Sequence, residues 1–352
     1  MVMKTFIATS VLGREGALRH PRRVQQRRNA SRFRIRKLSL STWASASALA
    51  AAVLAPNMAR ACACGCGIFD VGTSSMLPQG PGGMVYLEYD YQNQYINWSG
   101  NSHAVFSNNS DRRIETDFVT AGLQYMYSRS WGIQVEVPYA NRTFKTQTAD
   151  PANPGGIASL TWGEMGDIRV KGIYTGFSED LSTGITFGFK LPTGNYTHND
   201  TFGDVDRDTE IGTGSTDLLL GGFHRQKFTS DSPFTWFAQA QLDLPLLIQE
   251  DYRPGWEVDG AAGVYYEGWS IGRLKISPVA QVLGSVRGSD SGEQSSNPVA
   301  SGYRRILLSP GIEFDIHPVS IYADVEIPVF QQVTGNQLTA PALFKVVMSY
   351  HF

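Results

Sequence analysis

Three cysteines, Cys62, Cys64 and Cys66, stand at alternate positions in a Cys-Ala-Cys-Gly-Cys-Gly run, and they are the whole cysteine complement of the chain. Three thiolates within five residues suit a soft-metal site for Cu(I) or Zn(II), with Gly65 and Gly67 leaving the backbone free to wrap the ion. The same residues admit two other readings. Cys62 could be the lipidated first residue of a lipoprotein, although Ala59 and Arg60 precede it where a lipidation signal favours Leu and a small residue. Alternatively the run is an arm that holds a disulfide or free thiols and no ligand, since an odd count in an oxidising compartment leaves one thiol unpaired or bridged elsewhere.

A second acidic group, Asp200, Asp204, Asp206, Asp208 and Glu210, falls in a polar stretch over residues 199–217. Carboxylates two apart can converge on Ca²⁺, but the EF-hand pattern fails here because a loop counted from Asp204 places Thr209 and Ser215 where Gly and Glu are required. The expectation is a carboxylate cluster that takes Ca²⁺, shared with lipopolysaccharide, or a plain solvated loop. The histidines past residue 61, namely His103, His198, His224, His317 and His351, form no recognisable Ser/His constellation, so no enzyme is expected.

These residues need a scaffold, and period two supplies it. Over residues 342–352, Phe344, Val346, Met348, Tyr350 and Phe352 alternate with Lys345, Val347, Ser349 and His351. One set lies on each face of a strand, and an aromatic outer face ending on Phe352 suits the closing strand of an outer-membrane β-barrel. That ending also resembles the C-terminal signal by which bacterial barrels are recognised by their insertion machinery. From residue 83 onward the chain divides into about twelve such runs. The connections alternate long (96–112, 146–160, 193–212, 249–256, 288–301, 331–340) and short (128–130, 178–180, 229–232, 268–269, 317–318), which sets the fourth strand over 161–176. Long outer loops and short periplasmic turns are the pattern of a transmembrane antiparallel β-barrel, which puts both chain ends on the periplasmic side.

Alternation also assigns faces. The acids Glu88, Asp90, Glu136, Asp167, Asp217, Asp243, Glu257, Asp259, Glu267, Glu313, Asp315, Asp324 and Glu326 fall on inward positions. So do the bases Arg169, Lys171, Lys190, Arg225, Lys275, Arg305 and Lys345. These are the pore-lining candidates, and their acid excess biases an open pore toward cations. The alternative is that they pair across a narrow lumen and fill it.

The ends of the chain fit an exported protein. Residues 1–61 carry twelve Lys/Arg and one acid, Glu15, a charge of +11. The Ala/Ser-rich stretch 38–56, with Ala59 and Ala61 beyond it, reads as a signal peptide cleaved after Ala61. Subtracting +11 from the whole-chain −2 leaves about −13. A chain this acidic argues against nucleic acid as a partner, because phosphate binding needs a basic face. With 42% hydrophobic residues and a mean hydropathy of −0.20, no window approaches the roughly 18 apolar residues of a spanning helix. The expected organisation is a leader (1–61), a Cys-rich arm (62–82) and a Gram-negative outer-membrane barrel (83–352).

Three segments in order, Gly163-Glu164-Met165-Gly166-Asp167, Phe187-Gly188-Phe189-Lys190-Leu191-Pro192-Thr193-Gly194 and Gly212-Thr213-Gly214-Ser215-Thr216-Asp217, resemble the outer-membrane family named after the meta-pathway of phenol degradation. The resemblance covers residues 83–352. It implies a barrel in contact with outer-membrane lipid and lipopolysaccharide, and passage of small solutes, aromatic or hydrophobic compounds among them.

Overall fold

The structure, a computed structural model, describes residues 77–78, 81–148, 155–200, 203–296 and 299–352. The leader and Cys62, Cys64 and Cys66 lie outside the described residues. Twelve antiparallel strands close on themselves. They are β1 (Gly82–Gln94), β2 (Asp111–Met126), β3 (Trp131–Gln147), β4 (Ile157–Met165 and Ile168–Tyr174), β5 (Thr183–Leu191) and β6 (Thr216–Lys227). The second half comprises β7 (Phe234–Leu247), β8 (Glu257–Tyr266), β9 (Leu274–Arg287), β10 (Tyr303–Ile316), β11 (Val319–Thr339) and β12 (Leu343–His351). Each strand pairs with its neighbours in sequence, and β1 closes the ring on β12 from Met84↔His351 to Gln92↔Leu343.

Closure pairs each of the twelve barrel strands on both sides, and the period-two pattern then sorts the faces. On β1, Val85, Leu87 and Tyr89 are exposed while Met84, Tyr86 and Asp90 are buried. On β12, Phe344, Val346, Met348 and Tyr350 are exposed while Lys345, Val347 and Ser349 are buried. The exterior is therefore apolar, while the interior holds charged residues alongside apolar ones. Aromatic contacts ring the short-turn end on the outside: Tyr125 stacks on Phe352 at 6.4 Å, Trp131 meets Tyr174 at 4.7 Å, and Phe234 meets Tyr266 at 5.0 Å.

Four expectations about elements need correction. The strand expected over 161–176 is broken at Gly166-Asp167, where Gly166 N donates to the Pro138 carbonyl at 2.8 Å, and the break lets Glu164 and Arg169, five residues apart, both face inward. The stretch 331–340 is not a loop. It continues β11 to Thr339 and pairs with a short strand, Ile96–Gly100, which likewise replaces the start of the loop expected over 96–112. The turn expected at 268–269 lies instead at Gly272-Arg273, because Trp269–Ile271 folds back on β9; Gly272, at φ +64°, supplies the left-handed first position of that two-residue turn.

The interior is not uniform. One side is filled by Phe237, Ala261, Val279, Leu283, Leu307, Tyr322, Val347 and Met84, contributed by β1 and β7 to β12. The other side holds a cavity.

Candidate functional site in the lumen

The cavity measures about 220 Å³ and is walled by β1 to β8, with Arg287 from the end of β9. Leu77, Pro78, Ile173 and Phe223 line it toward the short-turn end, and Glu210, Ile211, Pro254 and Gly255 toward the long-loop end.

A belt of charge crosses its wall. Strand register sets Glu136 opposite Arg169, Arg169 opposite Lys190, and Lys190 opposite Asp217. One step farther round, Asp243 stands opposite Glu257 and Glu257 opposite Arg287. All seven line the cavity. The belt is tightly bonded: Lys190 Nζ pairs with Asp217 and lies 3.8 Å from Asp243, and Lys171 Nζ is 3.2 Å from Glu136. Glu136 Oε1 also accepts from Tyr86 Oη at 2.9 Å and from Gln134 Nε2 at 2.7 Å. Counting the rest of the lining, Glu88, Asp90, Asp167 and Glu210 join the belt's four acids, and Arg142 joins its three bases.

Other inward charges knit the packed side. Lys345 lies 3.7 Å from Glu88 and 3.6 Å from Asp90, with Glu326 buried nearby. Asp324 accepts from Ser309 at 2.7 Å, Tyr322 at 2.8 Å and Gln281 at 3.1 Å. Asp259 is buried, and Arg305 stacks over the Tyr303 ring at 4.4 Å. Glu313 is half-buried toward the short-turn end. Lys275 sits apart at that rim, 70% exposed and 3.9 Å from Asp315.

The structure brings together groups that sequence reading did not single out. Arg142, 2% exposed, donates from Nε to Thr116 Oγ1 at 3.0 Å and from Nη1 to the Thr209 and Glu210 carbonyls. Its parity with Glu136, Pro138 and Ala140 on β3 was the available signal. Arg287 donates to Asp290 at 2.6 Å and shares the inward parity of Leu283 and Ser285.

The three glycine-rich segments converge on one carboxylate. Asp167, at the break in β4, accepts from Gly194 N at 3.0 Å, Thr213 N at 2.9 Å and Thr213 Oγ1 at 2.6 Å. Gly194 and Gly212 meet backbone to backbone: a Cβ on Gly212 would lie 2.5 Å from the Gly194 carbonyl carbon. The long β5–β6 connection is thereby pinned at both ends.

Of the acidic loop, the side chains of Asp200 and Asp204 lie outside the described residues. Asp208 and Glu210 are buried. Among the described residues no three His, Cys, Asp or Glu side chains are grouped to hold a metal ion.

No family model matches the chain, and no curated protein matches it. Solved structures do. An outer-membrane channel from Pseudomonas putida F1 superposes with a TM-score of 0.59 at 9% identity, over 80% of this chain and 100% of that one. The fold is that of an outer-membrane β-barrel. The β domain of the Bordetella autotransporter BrkA aligns with a TM-score of 0.45 at 14% identity, over 77% and 100% of the two chains. The toluene transporter TodX from Pseudomonas putida aligns with a TM-score of 0.38 at 10% identity, over 77% and 89%.

Proposed function

We propose that this protein is an outer-membrane channel for small polar solutes, weakly selective for cations. The observation that carries this reading is the charged belt along one wall of a cavity that reaches toward both ends of the barrel. Among the described residues, eight acids and four bases line that cavity (Glu88, Asp90, Glu136, Asp167, Glu210, Asp217, Asp243 and Glu257 against Arg142, Arg169, Lys190 and Arg287). An acid excess in a confined lumen raises the local concentration of cations. The belt also sets the solute class. A bare hydrocarbon passing it would strip water from charged groups without replacing their hydrogen bonds, whereas an aromatic compound bearing hydroxyl or amino groups replaces them.

In this reading the long-loop end faces outward and the short-turn end the periplasm, the arrangement that bacterial barrels adopt. Phe352, exposed at the wall and bonded through its main chain to Gly83, is then the feature offered to the insertion machinery. The fold shared with the P. putida channel supports the reading, as does the resemblance of the three glycine-rich segments to the phenol-pathway family.

The test is conductance of the purified mature protein across a planar bilayer in a salt gradient. A steady conductance with a cation-biased reversal potential is expected, with current blocked by catechol added to one side. A barrel that carries no current, or prefers anions, would overturn the proposal.

A further inference from the structure

The β5–β6 connection does more than join two strands. Its limbs, residues 193–198 and 205–213, lie against the long-loop end of the cavity, where Glu210, Ile211 and Thr213 form part of the lining. Val205 and Ile211 pack on the apolar cluster of Ile114, Phe144, Trp162 and Leu338. Above them the Arg207 guanidinium lies over the rings of Tyr196 at 4.4 Å and Tyr252 at 5.0 Å and bonds to Glu250 at 3.0 Å.

Within this packing sits a knot of titratable groups centred on one buried carboxyl of the cavity lining. Glu210, 6% exposed, accepts the backbone N–H of His198 on Oε1 at 2.8 Å. Glu164, reaching across from β4, lies 3.1 Å from His198 Nδ1 and accepts from Asn195 Nδ2 at 3.1 Å. The second oxygen of each carboxyl is buried without a hydrogen-bond partner among the described residues. The His198 ring stacks on Trp162 at 5.1 Å. Arg142 from β3 and Arg207 from the loop itself are the cationic groups facing Glu210.

We propose that the two limbs 193–198 and 205–213 form a lid over the cavity, latched while Glu210 is protonated and released as the pH rises. Its role in passage rests on the channel reading above; the latch itself does not. Burial lifts the Glu210 carboxyl from 4.5 to about 8, the His198 N–H opposing, the Glu164 charge adding, and Arg207 and Arg142 opposing. In an open lid Glu210 meets water and ionises at its ordinary value. A carboxyl whose pKa is higher in the closed form favours closure fully below about 4.5 and loses that contribution as pH rises through about 8. The opening equilibrium therefore climbs, by up to about tenfold per pH unit across that window, and levels off above it.

Hydrogen exchange of peptides spanning 193–213, corrected for intrinsic rates, reads the latch directly. Wild type is expected to lose protection between pH 5 and pH 8.5, while Glu210→Gln keeps it, because the amide oxygen still accepts from His198 and carries no charge. Glu164→Gln is expected to bring the plateau to lower pH. Equal protection at both pH values in wild type, or release of Glu210→Gln alongside wild type, would overturn the latch. Conductance recorded in parallel separates the two proposals: pH-dependent exchange with no current from any variant upholds the latch and removes the channel, and pH-independent exchange with steady current does the reverse.

Discussion

Asp167 Oδ2 accepts both the hydroxyl of Thr213 at 2.6 Å and its amide N–H at 2.9 Å, while Oδ1 takes the amide of Gly194. One carboxylate at a break in β4 thus gathers the two ends of a loop whose limbs reach the cavity mouth. Hydrogen bonds to an ionised acceptor are the strong kind, and all three of these end on one residue that is 6% exposed. Asp167→Ala is expected to cost ~2–4 kcal/mol of local stability, below the sum of three separate bonds because the loop relaxes as a unit. Exchange in 193–213 should quicken while strand amides stay protected; uniform protection in the variant would remove Asp167 as the pin.

Lys190 is buried against Asp217, itself 1% exposed, with Asp243 close by. Lys190→Met strands two carboxylates in the lumen wall, and breaking a buried pair this way typically costs about 3–5 kcal/mol. Removing both partners in Lys190→Met/Asp217→Leu should recover much of that loss. Urea unfolding in lipid vesicles, followed by gel mobility, measures both. An unchanged midpoint for the single variant would mean that the belt is solvated and not structural.

Much of this barrel was legible because period two reports faces directly. Phe344 to Phe352 outward and Lys345 to Ser349 inward follow from alternation, and so do Glu136, Lys190 and Asp324. Where both faces are apolar, alternation is silent: Ile306, Leu307 and Leu308 run together, yet Leu307 is 0% exposed inside while its neighbours are exposed outside. The solid half of the lumen was hidden for that reason. The break at Gly166-Asp167 was hidden for another, since a Gly-Asp pair reads equally as turn chemistry or as a bulge, and only pairing with Pro138 decides. Residues 331–339 read as a loop because their partner, Ile96–Gly100, is far away in sequence.

Two glycines should respond oppositely to the same substitution. At Gly212 a Cβ would press on the Gly194 backbone, which cannot swing away as a side chain would, so Gly212→Ala is expected to cost about 1–3 kcal/mol and to loosen 193–213. At Gly284 on β9 nothing lies within 4 Å of the same atom, so Gly284→Ala should be neutral or stabilising by up to about 1 kcal/mol. Urea midpoints and exchange distinguish the two. Equal effects would mean that the Gly194–Gly212 approach is not tight in the membrane.

Leu77, 8% exposed, packs with Met126, Ile173, Leu181 and Phe223 inside the short-turn end, and Arg225 holds the neighbouring Pro78 carbonyl at 2.8 Å. Burying a leucine there stabilises the seat by roughly 1.5–3 kcal/mol. A carboxylate in the same apolar ring is stripped of water, and the nearby Arg225 already holds the Pro78 carbonyl, so Leu77→Glu should draw residues 77–78 out of the lumen. In the channel reading, single-channel conductance then rises at an unchanged reversal potential, because the belt at Glu136, Arg169 and Lys190 still selects the ion. Arg225→Met, which frees Pro78 without adding charge, should move conductance the same way by less. If both variants conduct as wild type does, the segment at Leu77 does not limit passage, and the belt becomes the narrowest point.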